Sequence, residues 1–124
     1  MQRHGISIGI EKLHDKIFIT MKAIGILTHE DYELIIPIID KALLSQKDVE
    51  ADILMDVSDF EGWELRAAWD DFKIGLKHGN DFRKIALYGH NAWQEKLSKI
   101  ADWFTSGKIQ YFQSEKEALL WLQE

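Results

Sequence analysis

The sequence predicts one α/β domain: a mostly parallel five-stranded sheet with four helices, in the order β-β-α-β-α-β-α-β-α. Three observations predict it. After the second strand-like run, apolar strands alternate with amphipathic stretches at helical spacing, and crossover connections of that kind make neighbouring strands parallel. The first two runs are separated only by a short polar interval, so they form a hairpin whose first strand is antiparallel and lies at an edge. No Pro/Gly/Ser-rich linker, repeat or low-complexity tract interrupts the 124 residues, so a single domain over 1–124 is expected.

The elements follow in order. Ile6, Ile8 and Ile10 alternate with Ser7 and Gly9, giving a short strand from Ile6 to Glu11. Lys16 to Ala23 alternates in the same way, and His14-Asp15 suits the tight turn between the two. Thr28 and Asp31 form an N-cap with an acidic residue three positions on, opening a helix that reaches about Ser45. Its apolar residues Tyr32, Ile35, Ile36, Ile39 and Leu43 fall at helical spacing, while Pro37 predicts a kink or a start nearer Tyr32. Asp52 to Val57 holds Ile53-Leu54-Met55 between charges, which suits a strand buried on both faces.

Trp63 to His78 carries Leu65, Ala68, Trp69, Phe72 and Leu76 on one helical stripe, ended by Gly79-Asn80. Phe82 to Tyr88 is another apolar strand. Asn91 with Gln94 caps a helix presenting Trp93, Leu97, Ile100, Ala101 and Phe104. Ile109 to Phe112 is a last short strand, and Ser114 with Glu117 caps a final helix bearing Ala118, Leu119, Trp121 and Leu122.

Composition removes several functions. With 21 acidic residues against 15 Lys and Arg, a net charge of −6 argues against nucleic acid, since phosphate neutralisation needs clustered cations. The absence of cysteine excludes disulfides, thiolate nucleophiles and Cys-ligated metal sites. The longest apolar stretch, Leu34 to Ile39, is far short of the roughly 20 residues a bilayer span needs. The alternation after Met1-Gln2-Arg3-His4 is that of a strand, not of a secretory leader, so the expected compartment is the cytoplasm.

Asp56, Asp59, Glu61 and Glu64 gather near the carboxyl end of the third strand, where ligands of open α/β sheets sit. They can hold a cation or meet a basic partner, but capping of the local turn and of a helix start accounts for them more simply. No metal-ligand or nucleotide-cradling motif is present, so no metal and no cofactor is expected. His90, at the same rim, can pair with Asp56 or Asp59 for acid–base work, yet no nucleophile stands beside it. No catalytic residue is assigned. Trp63, at a helix start, and Trp103, beside a stripe, fit the core less well than Trp69 or Trp93 and can flank a pocket or a partner surface.

The order of elements, with Asp56-Val57-Ser58-Asp59-Phe60-Glu61-Gly62-Trp63, Ala68, Asp71, Arg83-Lys84-Ile85-Ala86, Gly89, Trp93, Tyr111-Phe112 and Ala118-Leu119-Leu120-Trp121-Leu122, resembles bacterial anti-sigma-factor antagonists, the STAS domain. Within that group it is most similar to the SpoIIAA-like family, over about Ile6 to Leu122. The resemblance implies a regulatory or binding domain, and the family's likeness in shape to CRAL-TRIO lipid-binding domains implies a cavity between helices and sheet. One departure is decisive. The antagonists open the helix after the third strand with a phosphorylatable serine, and phosphorylation there adds about −1.5 to −2 charge. Here that opening is Glu61-Gly62-Trp63-Glu64-Leu65-Arg66, and no serine or threonine follows Ser58 until Ser98.

The function expected is therefore non-catalytic binding of a protein partner or a small apolar ligand, with homodimerisation compatible with the uneven charge. The binding candidates are Asp56, Ser58, Asp59, Phe60, Glu61, Trp63, His90, Trp93 and Trp103. The alternatives are an apolar-ligand carrier lined by the helices bearing Trp69 and Trp93, and, last, an enzyme using His90 and Asp56.

Overall fold

A computed structural model describes residues 3–13, 15–44, 49–63, 82–89 and 107–124, the side chains of Tyr32 and Trp63 excepted. Five strands, β1 (Gly5–Lys12), β2 (Lys16–Leu27), β3 (Glu50–Trp63), β4 (Phe82–Tyr88) and β5 (Lys108–Phe112), form one sheet in sequential order. β1 pairs antiparallel with β2 at the edge; the other three pairings are parallel. Two helices are described, α1 (His29–Leu44) and α2 (Glu115–Gln123). The expected helices over 63–78 and 91–104 lie outside the described residues, Trp63 apart.

The register explains the core. Ile10, Ile19, Ile53, Ile85 and Ile109 stand directly opposite one another, one from each strand, in a single row across the sheet. The next row is Ile8, Met21, Met55, Leu87 and Tyr111. β-Branched side chains pack well on a pleated surface, and α1 closes this face with Ile35, Ile39 and Leu43. α2 covers part of the other face with Ala118 and Leu122 against Leu54 and Ala86. β3 is thus buried on both faces over Ala51–Met55, as its charge-bounded apolar run predicts.

Both described helices start where their caps place them. Asp31 receives the Thr28 N–H at 2.8 Å, while Thr28 Oγ1 accepts the Asp31 N–H at 3.3 Å, a reciprocal box. That box overrides the pull of Pro37 on the helix start: the helix begins at His29, not nearer Tyr32, and contains the proline within its span. Ser114 accepts the Glu117 N–H at 3.2 Å.

Two strands run further than expected. β2 continues to Leu27, turning at Gly25 (φ +66°), where any Cβ would overlap the Arg3 carbonyl oxygen. β3 continues to Trp63 opposite it, so Asp59-Phe60-Glu61-Gly62 is strand and not the expected strand-to-helix turn, and Trp63 ends a strand. The reason is a bulge. Lys22 opposes Asp56 but Ile24 opposes Asp59, so Val57 and Ser58 share the single partner Ala23. The sequence pattern breaks at this bulge, and the break imitates a strand end.

Candidate functional site

At the bulge the chain's own chemistry holds the backbone. Ser58 donates its N–H to Asp56 Oδ1 at 2.9 Å and its hydroxyl to the same oxygen. Taking the N–H out of the ladder is what a short acidic side chain two residues upstream does. Beyond Asp56, β3 keeps β2 as its partner, since its described pairing with β4 ends at Asp56 opposite Tyr88.

Ser7, Lys22, Asp56, Tyr88 and Phe112 form one row across all five strands, on the α2 face near the carboxyl ends of the parallel strands. Four of them line a groove of about 370 Å³ with Thr20, Leu54 and Glu115, bordered by the strands at Ile8 and Met21, whose side chains belong to the opposite, α1 face. That volume lies within the range of small-molecule sites, ~300–1,000 Å³. Lys22 Nζ sits 4.0 Å from Asp56 and 3.3 Å from Asp59. Tyr88 donates its hydroxyl to Glu115 Oε2 at 3.0 Å. Burial first, then this bond and the Asp56 charge, push the Tyr88 phenol well above its ordinary value. It therefore stays a protonated donor throughout the neutral range.

Among the described residues, charge at the groove is unbalanced: Asp56 and Glu115 line it with Lys22, and Asp59 adds a third carboxylate within 3.3 Å of that lysine. Such a cleft attracts a cationic or neutral hydrogen-bonding group and disfavours an anion. Of the hydroxyls here, those of Ser58 and Tyr88 donate to carboxylates and that of Thr20 donates to the Gly9 carbonyl at 3.4 Å, while Ser7 also lines the groove.

Of the residues singled out from sequence, Asp56, Ser58 and Asp59 come together here. Phe60 is a core residue, 3% exposed, and Glu61 points to solvent from the strand. The Trp63 side chain, His90, Trp93 and Trp103 lie outside the described residues, as does any His90–Asp56 pair. Lys22, Tyr88 and Glu115 were not legible as site residues, because only the cross-strand register and the approach of α2 bring them to Asp56. Among the described residues, no group of three potential metal ligands is present, and no helix is long and apolar enough to cross a membrane.

A family model described as SpoIIAA-like matches residues 18–123. The chain is also similar to the crystal structure of an uncharacterised DUF3478-family protein with a SpoIIAA-like fold from Shewanella loihica PV-4. That match has 43% identity and a TM-score of 0.77, covering 98% of this chain and 97% of the other. No curated protein matches the chain.

Proposed function

The chain belongs to the SpoIIAA-like family, and from that premise we propose that it is a non-catalytic binding domain whose groove beside Asp56 takes a cationic group, most simply a basic segment of a partner protein. The observation that carries this reading is the row Lys22–Asp56–Tyr88, which sets carboxylates and a donor phenol around an apolar floor at the carboxyl end of the sheet. It acts without the antagonists' phosphoserine. The nearest hydroxyl, Ser58, is held by Asp56 within the bulge, and the helix-opening serine of the antagonists is absent from the sequence. Control would then come from occupancy of the groove and not from modification.

Capture from a bacterial lysate at low and high salt, read by native mass spectrometry on the full chain, tests this. The expected result is a species retained at low salt, released at high salt, and lost in Asp56→Asn/Glu115→Gln. A bare chain mass under both conditions, or retention unaffected by the double substitution, overturns it. Turnover of an ester or phosphate substrate that disappears in His90→Ala would overturn the non-catalytic part.

A further inference from the structure

β1 is an edge strand whose outer side is read from one turn contact. Leu13 donates its N–H to the Lys16 carbonyl at 2.8 Å, so these two residues are a hydrogen-bonded pair of the hairpin. Along an antiparallel ladder, hydrogen-bonded and non-hydrogen-bonded pairs alternate. Glu11, Gly9, Ser7 and Gly5 therefore turn their N–H and C=O groups toward β2. The backbone groups of Ile6, Ile8, Ile10 and Lys12 point away from the sheet and have no strand beside them among the described residues. This edge is 8 residues long and has no proline. Exposed edges of that kind are templates for another strand unless something blunts them.

Two further features lie along the same edge. An apolar groove of about 520 Å³ opens between Ile10 and Lys12 of β1 and Ile38, Lys41 and Ala42 of α1. Ile38 and, one turn earlier, Leu34 are 45% and 70% exposed on that side of the helix. Arg3 precedes the strand and Glu11-Lys12 close it, with Arg3 and Glu11 each four residues from Ser7.

We propose that β1 pairs antiparallel with β1 of a second copy, about a two-fold axis through Ser7. In that register Ile6 stands opposite the partner's Ile8, and Arg3 opposite the partner's Glu11, twice by symmetry. Centring the axis on Ile8 instead sets Lys12 against the partner's His4 and leaves Glu11 facing a glycine, so complementarity selects Ser7. Because the axis is normal to the sheet, both copies of α1 lie on one face of a continuous ten-stranded sheet. The exposed Leu34 and Ile38 then meet their symmetry mates over the groove. Ser7 and Ile8 also line the Asp56 groove, so the interface borders it, but strand pairing at the β1 edge does not need that groove to be occupied.

The absence of cysteine makes the test clean. Ser7 is exposed and becomes a non-hydrogen-bonded pair with its own mate, where Cα atoms lie about 4.5 Å apart, within disulfide reach. Light scattering on the unmodified chain is expected to give a dimer mass. Ser7→Cys is expected to crosslink to a dimer under mild oxidation, faster than Glu117→Cys on α2, an exposed control. Glu11→Arg is expected to weaken the dimer about tenfold by turning both ion pairs repulsive. Arg3→Glu combined with Glu11→Arg is expected to restore it. A monomer at high concentration, a Ser7→Cys chain that crosslinks no faster than the control, or a dimer indifferent to Glu11→Arg overturns the proposal. A dimer whose Ile6 and Ile8 amides exchange freely does so too.

Discussion

Asp52 on β3 and Arg83 on β4 form a two-pronged ion pair beneath the end of α2: Arg83 Nε reaches Oδ1 at 2.9 Å and Nη2 reaches Oδ2 at 2.7 Å. Lys16 adds a third contact at 3.2 Å, and the Asp52 side chain is only 2% exposed. Arg83 also donates to the Leu122 carbonyl, and Lys84 donates to that of Trp121 at 2.7 Å while lying over its ring. α2 has no basic residue in its last turn. Its negative pole is met by two cations from the strand below it.

Removing Arg83 strands a buried carboxylate on Lys16 alone and deprives α2 of a C-terminal partner. Arg83→Met is expected to lower unfolding free energy by about 3 kcal/mol. Asp52→Leu combined with Arg83→Met is expected to cost less than Arg83→Met alone, because no charge is left buried. Urea denaturation of the two variants decides the order.

Tyr88 predicts how stability falls in alkali. Its folded-state value is raised above the ordinary 10.0, and burial raises that of Tyr111 in the same direction. Below about pH 10 both phenols are protonated in the folded and unfolded chain, and their contribution is intact. Above that value the unfolded chain ionises first and the folded chain resists, so stability drops as pH rises toward the folded-state value. Tyr88→Phe is expected to flatten the slope above pH 10 without removing it, since Tyr111 remains. Denaturant midpoints measured across that range, with phenolate absorbance followed in parallel, give the comparison.

The isoleucine row gives a graded expectation. Ile53 is central and 1% exposed, with Ile19 and Ile85 on either side. Ile53→Ala is expected to cost about 3–4 kcal/mol, and Ile53→Val about 1 kcal/mol. Ile109, only partly buried on the far edge strand, is expected to cost less on the same truncation. Chemical denaturation of the three variants reads the gradient directly.

The parts of the fold that were legible in the sequence are those set by short-range chemistry. β1, β4 and β5 lie within one residue of their predicted ends, and both described helices begin at their Ser or Thr caps. The sequence pattern ends β2 at Ala23 and β3 at Val57, short of their ends in the fold, because the residues beyond pair across a bulge, where Gly25, Asp59 and Gly62 look like turn residues. A residue that breaks local periodicity is retained in a strand when a neighbouring strand is long enough to satisfy it. The site was half legible for the same reason. Asp56 and Ser58 are close in sequence, but Lys22, Tyr88 and Glu115 are joined to them only by register and by packing of α2.

Asp31 links the cap of α1 to the start of the edge strand. Its Oδ2 accepts the Thr28 N–H at 2.8 Å, the Thr28 hydroxyl at 3.2 Å and His4 Nδ1 at 2.8 Å, in a position 8% exposed. Thr28→Ala removes one acceptor for the helix and one donor to the carboxylate, and is expected to cost about 1 kcal/mol. Asp31→Ala leaves both the Thr28 N–H and His4 without their acceptor in a partly buried place, so about 2–3 kcal/mol is expected. If the box acts as one unit, Thr28→Ala on top of Asp31→Ala adds almost nothing. Additive losses in the double variant would show that Thr28 and Asp31 stabilise the helix start independently.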